Sequence, residues 1–259
     1  YNRALAATHY PYTVLLNSDV AVRPGWVGEL CAFMKANPDV GACQPKILAH
    51  KDPSHFEYAG ACGGFIDCHG YPYCRGRIFD VCEPDAGQYD APVDVFWASG
   101  AALMVRTELY LRLGGLDANF FAHMEEIDLC WRILLDGWRI SAVPSAVVEH
   151  LGGASLATGN PRKTYLNFRN NLLMLHKNLP DSSRGATLLR RRLLDALAWC
   201  RFMVSLDFAN AGAILRAHRD FRRMRKPYTT HPQHDLLKGQ RNILADYYLR
   251  GKKKFSQLT

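Results

Sequence analysis

The chain has 259 residues, 48% of them hydrophobic and 22% charged, with a formal net charge of +8 at pH 7. That is enough apolar material for one substantial core, with length left over for an extension. No run of about eighteen uncharged apolar residues is present, so no membrane-spanning helix is expected.

The charge is unevenly spread: residues 1–160 carry 11 Lys and Arg against 18 Asp and Glu, and residues 161–259 carry 21 against 6. The chain changes character near Asn160-Pro161. A basic part of this kind fits nucleic acid, an anionic membrane surface or a solvated helical face. No RNA- or DNA-binding motif accompanies it, and its aromatics are not spaced as a stacking platform, which sets nucleic acid aside.

In chain order, Thr13-Val14-Leu15-Leu16 is an apolar run that reads as a short buried strand, ending in Asn17-Ser18-Asp19. In open α/β sheets ligands bind at the carboxyl ends of strands, so Asp19 is placed to hold a divalent cation against a diphosphate; a plain polar turn is the alternative. Val40 to Ile47 reads as a second strand. The stretch from Tyr58 to Phe79 is rich in Gly, Tyr and charge and predicts several turns with little helix.

Eight cysteines, at 31, 43, 62, 68, 74, 82, 130 and 200, have wide spacings and no Cys-x-x-Cys pair. Cys62, Cys68, Cys74 and Cys82 with His69 are dense enough to weigh as a zinc cluster, but reduced thiols in a cytosolic enzyme are the better account.

The segment Phe120 to Arg132 sets Glu125, Glu126 and Asp128 within four positions. At 3.6 residues per turn, Ile127, Cys130, Trp131 and Leu134 form an apolar face, and the carboxylates crowd a first turn where the helix dipole favours negative charge. A carboxylate there can act as a general base; an ordinary acidic first turn is the alternative. Ala142 to His150 reads as another strand, ending in His150 and then Gly152-Gly153. The strands near 13–17, 40–47 and 142–148 are expected in one sheet, with Asp19, Glu126 and His150 on one cleft.

Taken together these segments resemble the family 2 inverting glycosyltransferases of the GT-A fold, in particular the bacterial rhamnosyltransferase-like branch. Leu15-Leu16-Asn17-Ser18-Asp19 is similar to that branch's metal-binding motif. Trp97 to Arg106, then Gly114-Gly115-Leu116-Asp117 and Phe120-Phe121, resemble the acceptor-side segment leading into its acidic motif, and His150-Leu151-Gly152-Gly153 its late metal-holding His. Order and spacing agree from about residue 10 to residue 180. Where relatives commonly have Glu-Asp this chain has Glu125-Glu126. A family member has its first nucleotide-binding strands before this point, and the chain begins at Tyr1, so it is read as an N-terminally truncated piece that on its own is inactive.

The resemblance implies an α/β fold, a GT-A type, Rossmann-like mixed sheet flanked by helices without its N-terminal strands. Residues 1–180 would form the partial catalytic domain and 181–259 a basic helical extension. It implies a nucleotide-sugar donor, a glycan or lipid-linked glycan acceptor, and Mg²⁺ or Mn²⁺ held by Asp19 and His150. Glu126 would be the general base, with Glu125 and Asp128 orienting it or binding acceptor. Asn17, Arg75, Arg77, Trp97, Ser99, Gly100 and Arg169 would bind donor or acceptor. A non-catalytic module retaining the sheet is the alternative. Beyond Asn167-Phe168-Arg169-Asn170, residues Leu188, Leu189, Leu193, Leu194, Leu197, Trp199, Phe202 and Met203 form a broad apolar stripe among arginines. That pattern fits a helix lying on an anionic membrane, on the inner face of the cell membrane, or a helix packed on its own domain.

Overall fold

The computed structural model describes residues 1–152 and 159–258. Gly153, grouped above with His150, lies outside the described residues. In chain order the elements are α1 Asn2–Leu5, β1 Tyr12–Leu16, β2 Val20–Val22, α2 Trp26–Ala36, β3 Val40–Ala49, β4 Asp52–Phe56, β5 Gly64–Ile66, β6 Pro72–Cys74, β7 Arg77–Ile78 and β8 Val81–Cys82. They continue with β9 Val93–Asp94, β10 Ala102–Arg106, α3 Thr107–Arg112, α4 Glu125–Leu135, β11 Arg139–His150, α5 Pro161–Asn178, α6 Asp181–Val204 and α7 Phe208–Met224.

The main sheet runs β1-β10-β3-β11-β2, with β4 on β3 and β9 on β11. The three strands expected to share a sheet do so. Only β3 and β11 pair in parallel; the other pairings are antiparallel. The central β3 is buried along almost its whole length because both faces of the sheet are covered, and its polar members are satisfied inside: Gln44 bonds the Ser99 amide and Lys46 pairs with Asp85 and Asp90. It tolerates Pro45 because the partner strand is irregular there: the register of β11 shifts between Val143 and Val147, so a ladder donor is not needed at that point.

Side chains alternate across this sheet. Ala42 and Leu15 join the larger core with Trp131, Ile127, Ile133 and Leu172 from α4 and α5. Cys43, Ile47, Met104 and Val148 join Trp26, Leu30 and Met34 of α2 on the other face. The carboxyl ends of β1, β3 and β11 thus lie along one edge of the sheet, with β10 and β3 between β1 and β11.

A second sheet, β5-β6-β7-β8, occupies the turn-rich region. The chain end returns to cover it: Ile243, Tyr247 and Leu258 pack on Tyr73 and Ile78, and the Ile243 and Cys68 amides bond Asp67 Oδ2 and the Arg241 carbonyl. The part after residue 180 is helical through α7; beyond Met224 it is mostly irregular chain, with short helical turns at Ala245–Leu249 and Phe255–Gln257 that lie against this sheet. All eight cysteines are free, and no group of three or more His, Cys, Asp and Glu is gathered for a metal among the described residues. No helix there is long and apolar enough to cross a membrane.

Candidate active site

The turn after β1 brings Asp19 to the end of β11, because β2 pairs antiparallel with that end and sets Val20 opposite His150. The Leu151 amide bonds the Asp19 carbonyl at 3.0 Å and fixes the juxtaposition. Asp19 Oδ1 lies 3.2 Å from His150 Nε2. The other ring nitrogen, Nδ1, has Glu57 Oε2 at 3.3 Å. That approach is too poorly aligned for a hydrogen bond, and Nδ1 is buried without one. Burial opposes charge on the ring, but the Glu57 and Asp19 carboxylates outweigh it and hold the His150 pKa above its usual value.

An oxygen and an imidazole nitrogen turned toward each other, with a carboxylate behind the imidazole, suit a divalent cation. Two donors do not enclose one; phosphate oxygens and water would complete the shell. Glu57 was not anticipated, because its neighbours in sequence show no ligand spacing and only the β3-β4 connection brings it to His150.

Glu57 also ties this corner to β10. Its Oε2 accepts the Ala59 amide at 2.5 Å, and the Ala59 carbonyl accepts the hydroxyl of Ser99. Ser99 is buried, its amide bonded to Gln44 Oε1 at 2.8 Å, and its Oγ receives the Ala101 amide at 3.2 Å. The Ala101 carbonyl in turn accepts the Asn17 amide at 3.0 Å. Ser99 is thus a brace that ties the Glu57 corner and β3 to the segment leading into β10. A Cβ on Gly60 would stand 2.4 Å from that of Ser99, so this approach requires glycine. Asn17 is exposed at the rim.

Next to the brace is Glu126: a Cβ on Gly100 would lie 3.5 Å from the Glu126 Cβ and 4.0 Å from its carboxyl carbon. The chain reaches α4 through three non-glycine residues in the left-handed region, Phe121, His123 and Met124, at φ of 67°, 68° and 73°. Such backbone persists only where its surroundings hold it. The holders are on α5. Asn170 Nδ2 reaches the carbonyls of Phe120, Ala122 and His123 at 2.9, 2.8 and 2.7 Å. Arg169 Nη2 bonds those of Asn119 and Phe120 at 3.1 and 2.7 Å.

The result is a pair of carboxylates in an unusual state. Glu126 keeps part of its surface open, but its Oε2 and that of Glu125 are buried without a hydrogen-bond partner. Burial first, then the neighbouring Glu125, pushes the Glu126 pKa up to about 8; burial raises that of Glu125 as well. Around the mouth, Arg162 and Lys163 at the start of α5 stand over the rings of Phe121 and Tyr58.

Replacing Asn170 with Ala should destabilise the chain by about 2 kcal/mol, since buried carbonyls lose their donor. The strained turn should relax, and proteolysis between residues 119 and 124 should accelerate. Unchanged cleavage there would remove Asn170 from this role.

Besides Ser99, five residues expected to bind substrate or act in catalysis are engaged within the fold. Asp128 is fully buried on the far side of α4, held by Arg132 Nη2 and Lys177 Nζ at 2.8 and 2.9 Å and by Asn178 Nδ2 at 2.8 Å. Two positions along a helix are about 200° around it, which turns Asp128 away from Glu126. Trp97 is core, its Nε1 bonded to the Phe65 carbonyl at 2.8 Å over Gly64. Arg75 bonds the Ala91 carbonyl and lies over Tyr89. Arg77 is buried, bonded to the Phe79 carbonyl and Cys74 Sγ and stacked on Tyr58. Arg169 holds the strained turn.

The family model described as "Glycosyltransferase like family 2" matches residues 1–164. A pre-mycofactocin glycosyltransferase of Mycobacterium tuberculosis is 28% identical over 168 residues, 63% of this chain and 32% of its own length. An N-acetylglucosaminyl-diphospho-decaprenol L-rhamnosyltransferase of the same organism is 30% identical over 151 residues, 54% of this chain and 46% of its own. The match thus takes in a third to under a half of these relatives' length. Among solved structures, GalNAc-T7 with UDP, GalNAc and Mn²⁺ aligns over 69% of this chain and 34% of its own, at 15% identity and a TM-score of 0.48.

Proposed function

The chain belongs to the glycosyltransferase-like family 2, and on that premise we propose that it carries the metal and acceptor side of an enzyme that moves a sugar from a nucleotide-sugar donor to a glycan or lipid-linked glycan acceptor, inverting the anomeric carbon. The observation that carries this reading is Glu126: a carboxylate with a buried, unpartnered oxygen and a pKa pushed up to about 8, beside Gly100, next to the Ser99 brace that leads through Ala59 and Glu57 to His150. A general base is most effective when its pKa lies near the working pH.

In this reaction an acceptor hydroxyl must lose its proton as it attacks, and Glu126 takes that proton. The helix α4 and the clamped turn before it hold the carboxylate rigid, so no reorganisation is needed at the moment of attack. Asp19 and His150 would hold Mg²⁺ or Mn²⁺, which when bound supplies Lewis-acid stabilisation of the departing diphosphate. Glu57 places a carboxylate 3.3 Å behind the His150 ring. Lys163 and Arg162 give the mouth a positive charge that attracts an anionic donor. A lipid-linked acceptor is supported by the name of the L-rhamnosyltransferase relative, which specifies a diphospho-decaprenol.

The test is product formation from nucleotide-sugar donors by the full-length protein, with the anomeric configuration read by NMR. Transfer should stop in EDTA and return with Mn²⁺ or Mg²⁺. Asp19→Ala or His150→Ala should raise the metal concentration needed by about tenfold or more. Transfer that is indifferent both to EDTA and to Asp19→Ala would refute the metal assignment; retention of configuration would refute direct displacement.

A further inference from the structure

Helix α6 has its polarity reversed for a surface that faces water. The side turned to the protein carries ions: Arg191 Nε donates to Asp195 Oδ1 at 2.8 Å, and the two residues are only 5% and 1% exposed. Arg191 also reaches Asn171 Oδ1 at 2.5 Å and stacks on Tyr71, while His218 of α7 lies 3.0 Å from Asp195 Oδ2. The side turned outward carries Leu189, Leu193, Leu197 and Val204, at 58%, 62%, 67% and 86% exposed.

Spacings of four along a helix, with the exposed Cys200 between the last two, make one continuous stripe. Helical geometry puts Arg190 and Arg201 along one edge of it and Arg192 along the other. Of the apolar stripe expected from sequence, Leu188 is buried and Leu194, Trp199, Phe202 and Met203 are half-buried, so only part of it faces outward. The apolar surface continues through the turn into α7, where Leu206, held at φ 58°, and Phe208 are exposed, as is Leu215 beyond them. The outer side of α7 then carries Arg216, Arg219, Arg222 and Arg223, all exposed, two of them sharing Asp220.

Large apolar side chains scattered singly on a surface need no explanation, but a contiguous stripe marks a contact. We propose that the outer face of α6 and the α6–α7 turn dock on an anionic lipid bilayer, with the leucine stripe in the boundary between headgroups and acyl chains and the flanking arginines on lipid phosphates. The 24 residues of α6 would lie flat, since the helix is not apolar enough to cross. Charge selects this occupant over a second copy of the chain. Residues 181–226 carry eleven Arg and Lys against four Asp, and a two-fold contact through this face would press arginine against arginine.

Flotation of the 259-residue chain with vesicles tests it, using phosphatidylcholine alone and phosphatidylcholine with about one third phosphatidylglycerol. The chain should float with the anionic vesicles and lose that binding as salt rises. Arg190→Gln, Arg192→Gln and Arg201→Gln should each weaken binding about fivefold. The pair Leu193→Ser and Leu197→Ser should abolish it while leaving the melting temperature unchanged, because both side chains are already in water. No flotation, equal flotation with both vesicle types that ignores salt, or full binding by the leucine variant would each overturn the proposal. So would a concentration-dependent dimer that the leucine variant breaks, which would give this face to a second copy.

Discussion

Glu126→Gln is expected to lower transfer on the order of 10²-fold or more while leaving donor binding in place, because it removes the base and keeps the shape of the side chain. The pH dependence of the unmodified protein gives a second readout. The base must be ionised, so the rate should climb about tenfold per pH unit below about 8 and level off above it.

Stability should move the other way. The folded state holds a proton on Glu126 at pH values where an unfolded glutamate has lost it. The stabilisation is therefore complete below the unfolded pKa near 4.5 and is lost as pH rises through about 8. Glu126→Gln carries no such loss, so its melting temperature should gain on that of the unmodified chain across the same window. A variant that keeps full transfer, or whose relative stability is flat with pH, would take the base role away from Glu126.

Asp128→Ala should cost the chain about 3 kcal/mol, because it removes a fully buried carboxylate that Lys177, Arg132 and Asn178 all bond, although Lys177 keeps Asp117 at 2.9 Å and Asn178 keeps the Met174 carbonyl. Arg132 is less affected, since it also bonds the carbonyls of Leu113 and Gly115. Urea denaturation measures the loss directly. At a temperature where the variant is still folded, its pH–rate profile should match that of the unmodified protein. A variant with an unchanged denaturation midpoint but no transfer would mean that Asp128 acts on substrate after all.

The contrast between these two acids shows what local pattern conveys. Both stand in one acidic run, and composition alone treats them alike. Helical periodicity already separates them by about 200°, but which side is the cleft and which the core depends on where α5 packs. Arg169 and Asn170 are a similar case: the carbonyls they hold are some fifty positions earlier in the chain, so no neighbouring residue announces their role.

Local pattern determined three of the seven strands of the main sheet, β1, β3 and β11, because a buried strand must be largely apolar wherever it sits; the shorter β2, β4, β9 and β10 depend on their neighbours. The placing of Asp19 and His150 at strand ends followed from the same local pattern. Glu57 behind His150, the brace of Ser99 between Gln44 and Ala59, and the burial that shifts Glu126 were decided by tertiary structure alone. So was the direction in which α6 turns its leucines. Each depends on contacts between distant segments, and a side chain's solvation and charge state are set by what surrounds it in space rather than by what precedes it in the chain.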